Sequence, residues 1–310
     1  MYKHFTLKDR FTLATLLNQD YEQGDIAEIL GRSLSSISRE ITRNSRKDRI
    51  YEARYAHKQA RLHRQRSKVS SRKIENDIEL ARRIENKLHP LVSPEVIAHD
   101  ENVCHESIYA WIYRTRPDLK EKLPQRGKKR RRYGEKRGKK IGWTQNVRNI
   151  EKRPLGAENR SRTKHYEGDT IRLDGGAILT HTGRKSRYEI AHLVPDEKAD
   201  TAYEIIKNDS KLKKSKSITY DRGSTFALWR MIEKVIDGQV FFAHAYHPWE
   251  RGTNENSNQR LRRVFPKGTK YNTITKEDVS KTVWIMNHTK RKCLSWKTPC
   301  EVYGDCCTSS

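Results

Sequence analysis

Acidic side chains are scarce relative to basic ones in this chain of 310 residues. Thirty-nine Asp and Glu stand against 65 Lys and Arg, a formal net charge of +26. Such an excess needs an anionic partner, and because Lys and Arg bind by neutralising phosphate, nucleic acid is the expected one. Long apolar runs are also missing: no stretch approaches the ~20 apolar residues of a spanning helix, so no membrane partner is expected. Met1 to Arg10 is mixed and charged with no apolar core behind it, which speaks against a secretion signal and for a cytoplasmic protein. Cysteine is sparse and unpatterned. Cys104, Cys293, Cys300, Cys306 and Cys307 are odd in number and contain no Cys-x-x-Cys pair, which excludes a disulfide scaffold and a zinc finger and fits a reducing compartment. His244 and His247 have no recognised metal spacing to those cysteines.

What is present is a polar chain, 34% charged with a mean hydropathy of -0.99, whose apolar residues are clustered. Its length suits two or three domains. Phe5 to Asn18 reads as an amphipathic helix. A short helix then ends at Gly31, and Ser33 or Ser35 can cap the next one. In that helix Ile37 and Ile41 face a core, while Ser35, Ser36, Arg39 and Arg43 point away from it. Two arginines and two small hydroxyl residues on one exposed face suit a helix lying in a major groove, so residues 1–50 are expected to form a helix-turn-helix. Residues 51–125 continue with a basic helix over Tyr51 to Lys68 and an amphipathic one over Ile74 to Leu88. Two further helices follow, one starting at Ser93-Pro94-Glu95 and one over His105 to Arg114 with Ile108, Trp111 and Ile112 on one face. These last two form a second unit resembling a helix-turn-helix.

From Arg126 to Lys140 the composition breaks: ten basic residues, one acid and three glycines in fifteen positions. Self-repulsion and glycine argue for a linker or arm over 126–160 that binds phosphate without reading sequence, through Lys128, Lys129, Arg130, Arg131 and Arg132. Beyond it, residues 161–310 read as three strands (Tyr166–Gly175, Ala177–Thr182, Arg187–Val194), a helix, a strand over Ser217–Gly223, a helix, a strand over Gln239–Ala243 and a last helix from Asn254 to Phe265. That is a mixed α/β sheet. Asp169 lies inside the first strand and Asp221 at the end of the fourth, where charge is costly without a partner. The last helix would carry Glu255 on a polar face with Asn258, Gln259 and Arg262, opposite Leu261, Val264 and Phe265. Three converging carboxylates need cations; oxygen-only ligands suit Mg²⁺ or Mn²⁺, and two such ions ~3.5–4 Å apart serve phosphoryl transfer. Asn254, Asn256, Arg262 and Lys267 are candidate phosphate contacts beside them.

Several stretches carry a resemblance. They are Ile26-Ala27 to Arg39-Glu40, Ser93-Pro94-Glu95, His105-Glu106-Ser107-Ile108-Tyr109 and Tyr166-Glu167-Gly168-Asp169. Asp221-Arg222-Gly223, Pro248 to Asn256, Phe265 to Thr269 and Arg291 to Pro299 complete the set. Over nearly its whole length the chain resembles the IS-thirty family of bacterial insertion-sequence transposases, DDE enzymes with a ribonuclease-H-like catalytic domain. The stretch around Glu255 is the most specific of these. The resemblance implies that Asp169, Asp221 and Glu255 are the three catalytic, metal-holding acids. Thirty-three residues separate Asp221 from Glu255, as in the family. It also implies two Mg²⁺ or Mn²⁺ ions, double-stranded DNA partners (terminal inverted repeats and target), a dimer or larger assembly on DNA, and a place beside the bacterial nucleoid. The pattern departs at Tyr166, Thr225, Cys104 and His288-Thr289, and at Arg222, which beside Asp221 could compete with a metal or bind a phosphate. The expected function is binding of element ends followed by strand cleavage and transfer. A catalytically inactive, transposase-derived DNA-binding repressor is the alternative, and a nuclease that only cuts is a third reading.

Overall fold

The computed structural model describes residues 4–48, 50–67, 72–126, 147–244 and 247–304, in two compact units, Met1–Ala81 and Arg82–Ser310. The first unit holds α1 (Leu7–Asn18), α2 (Gln23–Ile29), α3 (Leu34–Asn44), α4 (Ala53–Ser67) and the short α5 (Lys73–Asn76). Thr6 and Asp9 start α1 with a reciprocal capping box. Gly31 turns the chain between α2 and α3 at φ +60°, a conformation that a β-carbon disfavours. Leu13, Ile26, Ala27, Ile37, Tyr51 and Ala56 close the core. Within it Arg10 pairs with Glu40 at 2.7 Å, and Tyr51 donates to the same carboxylate at 3.1 Å. A buried carboxylate needs such partners.

The helix expected over Ile74–Leu88 is in fact two. The chain leaves helical geometry at Asp77, whose side chain accepts the Leu80 N–H at 2.9 Å and so starts α6 (Ile78–Lys87). In the second unit α7 (Pro94–Glu101) and α8 (His105–Thr115) meet at Asn102, in left-handed geometry at φ 49°, and bury Ile97, Ile108, Trp111 and Ile112. α7 packs beside the C-terminal segment: Lys290 and Lys292 pair with Asp100 and Glu95 at 2.7 and 2.8 Å, and His99 stacks on Trp296.

A short α9 (Leu155–Glu158) precedes β1 (His165–Leu173), β2 (Gly176–Gly183) and β3 (Glu189–Val194). Then come α10 (Ala199–Asn208), α11 (Ser210–Lys213), β4 (Ser217–Tyr220), α12 (Trp229–Val235), β5 (Gln239–Phe242), α13 (Gly252–Val264), α14 (Lys276–His288) and α15 (Pro299–Tyr303). The sheet order is β3-β2-β1-β4-β5. The first three strands are antiparallel, while β4 and β5 run parallel to β1. One sheet face packs Tyr166, Leu179, Ile218 and Val240 against Ala202, Ile206, Leu212 and Ile232 of α10, α11 and α12. The other packs Ile171, Ile178 and Leu193 against Leu261, Phe265, Val279 and Met286 on and beside α13 and α14. A 3-2-1-4-5 mixed sheet with helices on both faces is the ribonuclease-H-like arrangement. Among the described residues no helix is long and apolar enough to cross a membrane.

Candidate active site

Strand register sets the first two acids. β1 and β4 pair in parallel up to Glu167 opposite Thr219, so two residues further along Asp169 comes level with Asp221, just past the end of β4. Alternation along β1 puts Glu167 and Asp169 on the sheet face that α13 covers, with Ile171. Gly168 between them allows the Tyr220 ring to lie close: a β-carbon there would stand 2.2 Å from a ring carbon. A larger residue would push β1 and β4 apart.

Arg251, just before α13, joins the two aspartates. Its guanidinium lies 3.2 Å from Asp169 Oδ2 and 3.3 Å from Asp221 Oδ2, and it donates to the Gly168 carbonyl at 2.9 Å. Asn258 on α13 donates to Asp169 Oδ2 at 2.7 Å and is itself held by Thr180 at 3.2 Å. Burial pushes the Asp169 carboxyl above its ordinary range and Asp221 adds to this, while Arg251 opposes it. Glu255 is exposed on α13, with Gln259 donating to it at 3.4 Å. All three acids line one cavity of about 840 Å³, with Arg251, Asn258, Gln259 and Arg262.

The structure thus brings Asp169 and Asp221 together around a guanidinium and leaves Glu255 on the cavity wall. Among the described residues no three His, Cys, Asp or Glu side chains are grouped closely enough to hold a metal ion. The chemistry of the aspartate pair nevertheless fits Mg²⁺ or Mn²⁺: both donors are hard carboxylate oxygens, and they already share one positive group. Arg222 does not compete there. It turns away, donating to the Ala243 carbonyl at 3.2 Å and to Asn149 at 3.4 Å. The competing cation is Arg251. His244 is held by Glu250 and Glu151 at 2.9 and 2.8 Å.

Beneath the start of α13 lie two more carboxylates. Glu167, fully buried, pairs with Arg184 and accepts the Asn254 N–H at 3.0 Å, so a negative charge sits at the helix N-terminus, where it is favoured. Glu189 on β3 is also buried, bonded by Ser257 and by Thr182 at 2.7 Å. Burial pushes its pKa up to about 7. Thr182 also lies 3.1 Å from the Asn254 side chain. With one hydroxyl hydrogen it cannot donate to the Glu189 carboxylate and to the Asn254 side-chain oxygen at once.

The other expected contacts divide. Asn254 is only 1% exposed and faces the sheet, where its side-chain oxygen meets Thr182 and its nitrogen has no hydrogen-bond partner. Asn256 is exposed and bonded by Arg260 at 3.3 Å, and Lys267 is exposed. Arg262 lines the cavity and donates to the Arg172 carbonyl at 2.8 Å. On α3, Ser35, Arg39 and Arg43 are exposed and Ser36 is half-buried. Ser36, Arg39 and Arg43 line a recess of about 230 Å³ with His63 and Arg64. Lys128, Lys129, Arg130, Arg131 and Arg132 lie outside the described residues. The sequence analysis missed Arg251 and Glu189. Glu189 carries the same signal as Asp169, an acid in an apolar strand.

A helix-turn-helix unit together with a ribonuclease-H-like sheet carrying paired aspartates defines a nucleic-acid-modifying enzyme of the DDE type. A family model described as a helix-turn-helix domain matches residues 1–44. The transposase for insertion sequence element IS4351 of Bacteroides fragilis is 31% identical over 98% of this chain and 96% of its own length. Transposase InsI for insertion sequence element IS30A of Escherichia coli K12 is 30% identical over 96% of this chain and 83% of its own. The chain belongs to the IS30 family of insertion-sequence transposases. A putative integrase, ORF3, of Spiroplasma virus SpV1-R8A2 B is 27% identical over 98% of the chain and 99% of its own length. Among solved structures, the catalytic core domain of BIV integrase aligns with 46% of this chain and 94% of its own at 18% identity and a TM-score of 0.36.

Proposed function

We infer that the protein binds the terminal inverted repeats of its own insertion sequence and catalyses metal-dependent strand cleavage and strand transfer, with Asp169, Asp221 and Glu255 as its catalytic acids. The observation that carries this reading is the convergence of Asp169 and Asp221, from neighbouring parallel strands, on one cation in a cavity that Glu255 also lines. Two Mg²⁺ or Mn²⁺ ions bound there would polarise the scissile phosphodiester and activate the attacking water or 3′-hydroxyl. Asp169 and Asp221 would hold them, with Asn258 fixing the rotamer of Asp169. Arg251 neutralises the pair in this structure and would share it with any bound ion. Glu255, on the first turn of α13, lines the same cavity and would complete the donor set.

Residues 1–50 present Ser35, Ser36, Arg39 and Arg43 to a major groove, the helices of 51–125 divide between the two compact units, the basic 126–160 segment follows phosphate, and 161–310 carry out the chemistry. Arg262 and Lys267 contact backbone near the acids, and Asn256 contacts it from the other side of α13. Synapsis of two element ends calls for a dimer or larger assembly on DNA.

The test is a joining assay on the element's own ends with Mg²⁺. Asp221→Asn is expected to abolish cleavage and joining while footprints on the ends persist; joining by that variant at the wild-type level sinks the assignment. The second reading, a DNA-binding repressor without catalysis, draws on the Arg251 contacts to both aspartates. Footprints without any metal-dependent cleavage by the wild type would favour it.

A further inference from the structure

α13 has a second open side. Where its Glu255 face lines the acidic cavity, Gly252, Thr253, Asn256 and Arg260 line a recess of about 490 Å³ that reaches to α7 and the segment after α14. Six cations stand around it, Arg160, Arg187, Arg260, Lys290, Arg291 and Lys292, against the single carboxylate Glu95. Like charges so close repel unless an anion sits among them. Some are offset within the protein: Lys290 by Asp100 and Lys292 by Glu95. Arg187 donates to Thr253 at 2.6 Å and to the Cys293 sulfur, with Glu167 acting on it electrostatically, and Arg260 donates to Asn256 at 3.3 Å.

Arg291 is the decisive member. It is 7% exposed. One nitrogen donates to the Met286 carbonyl at 2.8 Å, while Nε and Nη1 have no hydrogen-bond partner. Burial lowers its pKa to about 10, which leaves it charged at neutral pH. Glu189 attracts it, but no hydrogen bond joins them: Oε2 of that carboxylate serves Thr182 and Ser257, and Oε1 has no partner. A buried guanidinium with two unused donors, walled by further cations, is poorly satisfied by the protein alone. An oxyanion accepting several N–H groups at once would satisfy it.

We propose that this recess is a phosphate-binding site that holds the backbone of a DNA segment along the side of α13 facing away from the acidic cavity. The proposal deepens the reading of the protein as an enzyme acting on DNA. It assigns to the segment Arg291–Trp296 and to Arg160, Arg187 and Arg260 a role in seating DNA that is separate from the acids. DNA backbone is the occupant that the chain's net charge of +26 and the number of donors favour, since each phosphate brings oxygens without a side chain to accommodate.

The experiment compares the full chain with the variant Arg160→Gln/Arg260→Gln/Lys292→Gln, all at the recess rim, and with Arg291→Gln as a second variant. Affinity for a labelled duplex is followed against KCl concentration. Each phosphate contact contributes roughly 0.9 to the slope of log K on log salt, so the triple variant is expected to lower the slope by about two to three. Cys293, a free and exposed thiol on the recess wall, gives a readout that needs no substitution: saturating duplex should slow its alkylation several-fold in the wild type. An unchanged slope together with an unprotected Cys293 overturns the proposal. Metal-dependent cleavage is measured in parallel. A wild type that cuts DNA with no slope change in the variant removes this site and keeps the catalytic reading. A lowered slope with no cleavage by the wild type does the reverse.

Discussion

Two arginine–carboxylate pairs stand two residues apart on the same face of β1, and they do different work. Glu167 with Arg184 is sealed: the carboxylate is fully buried, the guanidinium is 4% exposed and also donates to the Ala157 carbonyl, and the second carboxylate oxygen caps α13. Asp169 with Arg251 opens on the 840 Å³ cavity and is shared with Asp221. In the first pair every donor and acceptor has a fixed partner, and removing one leaves a buried charge. In the second, one cation serves two carboxylates beside open space, so a different cation can take its place. Strand periodicity alone would treat the two acids alike; their surroundings separate a structural charge from a functional one.

Breaking the sealed pair should have the largest effect on stability. Glu167→Gln leaves Arg184 buried without a counter-charge, and the loss expected is about 3–5 kcal/mol by urea unfolding. A loss no larger than that of an exposed surface change would mean that the pair is not structural. Glu189 sharpens the contrast, being an acid under the same helix with no arginine bonded to it. Its folded-state pKa of about 7 lies above its unfolded value. The stability from its protonated form is therefore full below the unfolded pKa, near 4.3, and lost as pH rises through about 7. Glu189→Gln should remove that loss, gaining on the wild type by up to roughly 3 kcal/mol between pH 4 and pH 8. A gap that does not change with pH would contradict the assignment. The smallest effect is expected at Arg251. Arg251→Gln leaves Asp169 and Asp221 facing each other without their cation, so Mg²⁺ should raise the Tm of the variant more than that of the wild type. Equal shifts would place metal binding elsewhere.

The comparison also shows what could be read from the chain beforehand. The order of strands and helices from Tyr166 to Phe265 was legible because apolar alternation and glycine breaks mark it directly. Asp169 and Asp221 stood out because acids in strands are rare. Asn254 was misplaced because a polar residue on a helix was taken to face solvent. The sheet beneath α13 is itself polar at Glu167, Thr182 and Glu189, and periodicity does not reveal a polar core. Arg251 was not legible as the bridging cation, since its partners lie 82 and 30 positions away in the chain. Attention fell on Arg222 because it adjoins Asp221 in sequence, though its side chain is used elsewhere. The helix over Ile74–Leu88 was read as continuous because its apolar spacing hides the cap that Asp77 provides.

The measurement that bears most directly on the division between the two pairs is Asp169→Asn, assayed for folding and for chemistry in one preparation. Asparagine keeps the shape and can still accept from Asn258. The account predicts unfolding free energy close to the wild type, DNA binding retained, and Mg²⁺-dependent strand cleavage lost. Cleavage at the wild-type rate by a folded Asp169→Asn protein would contradict it.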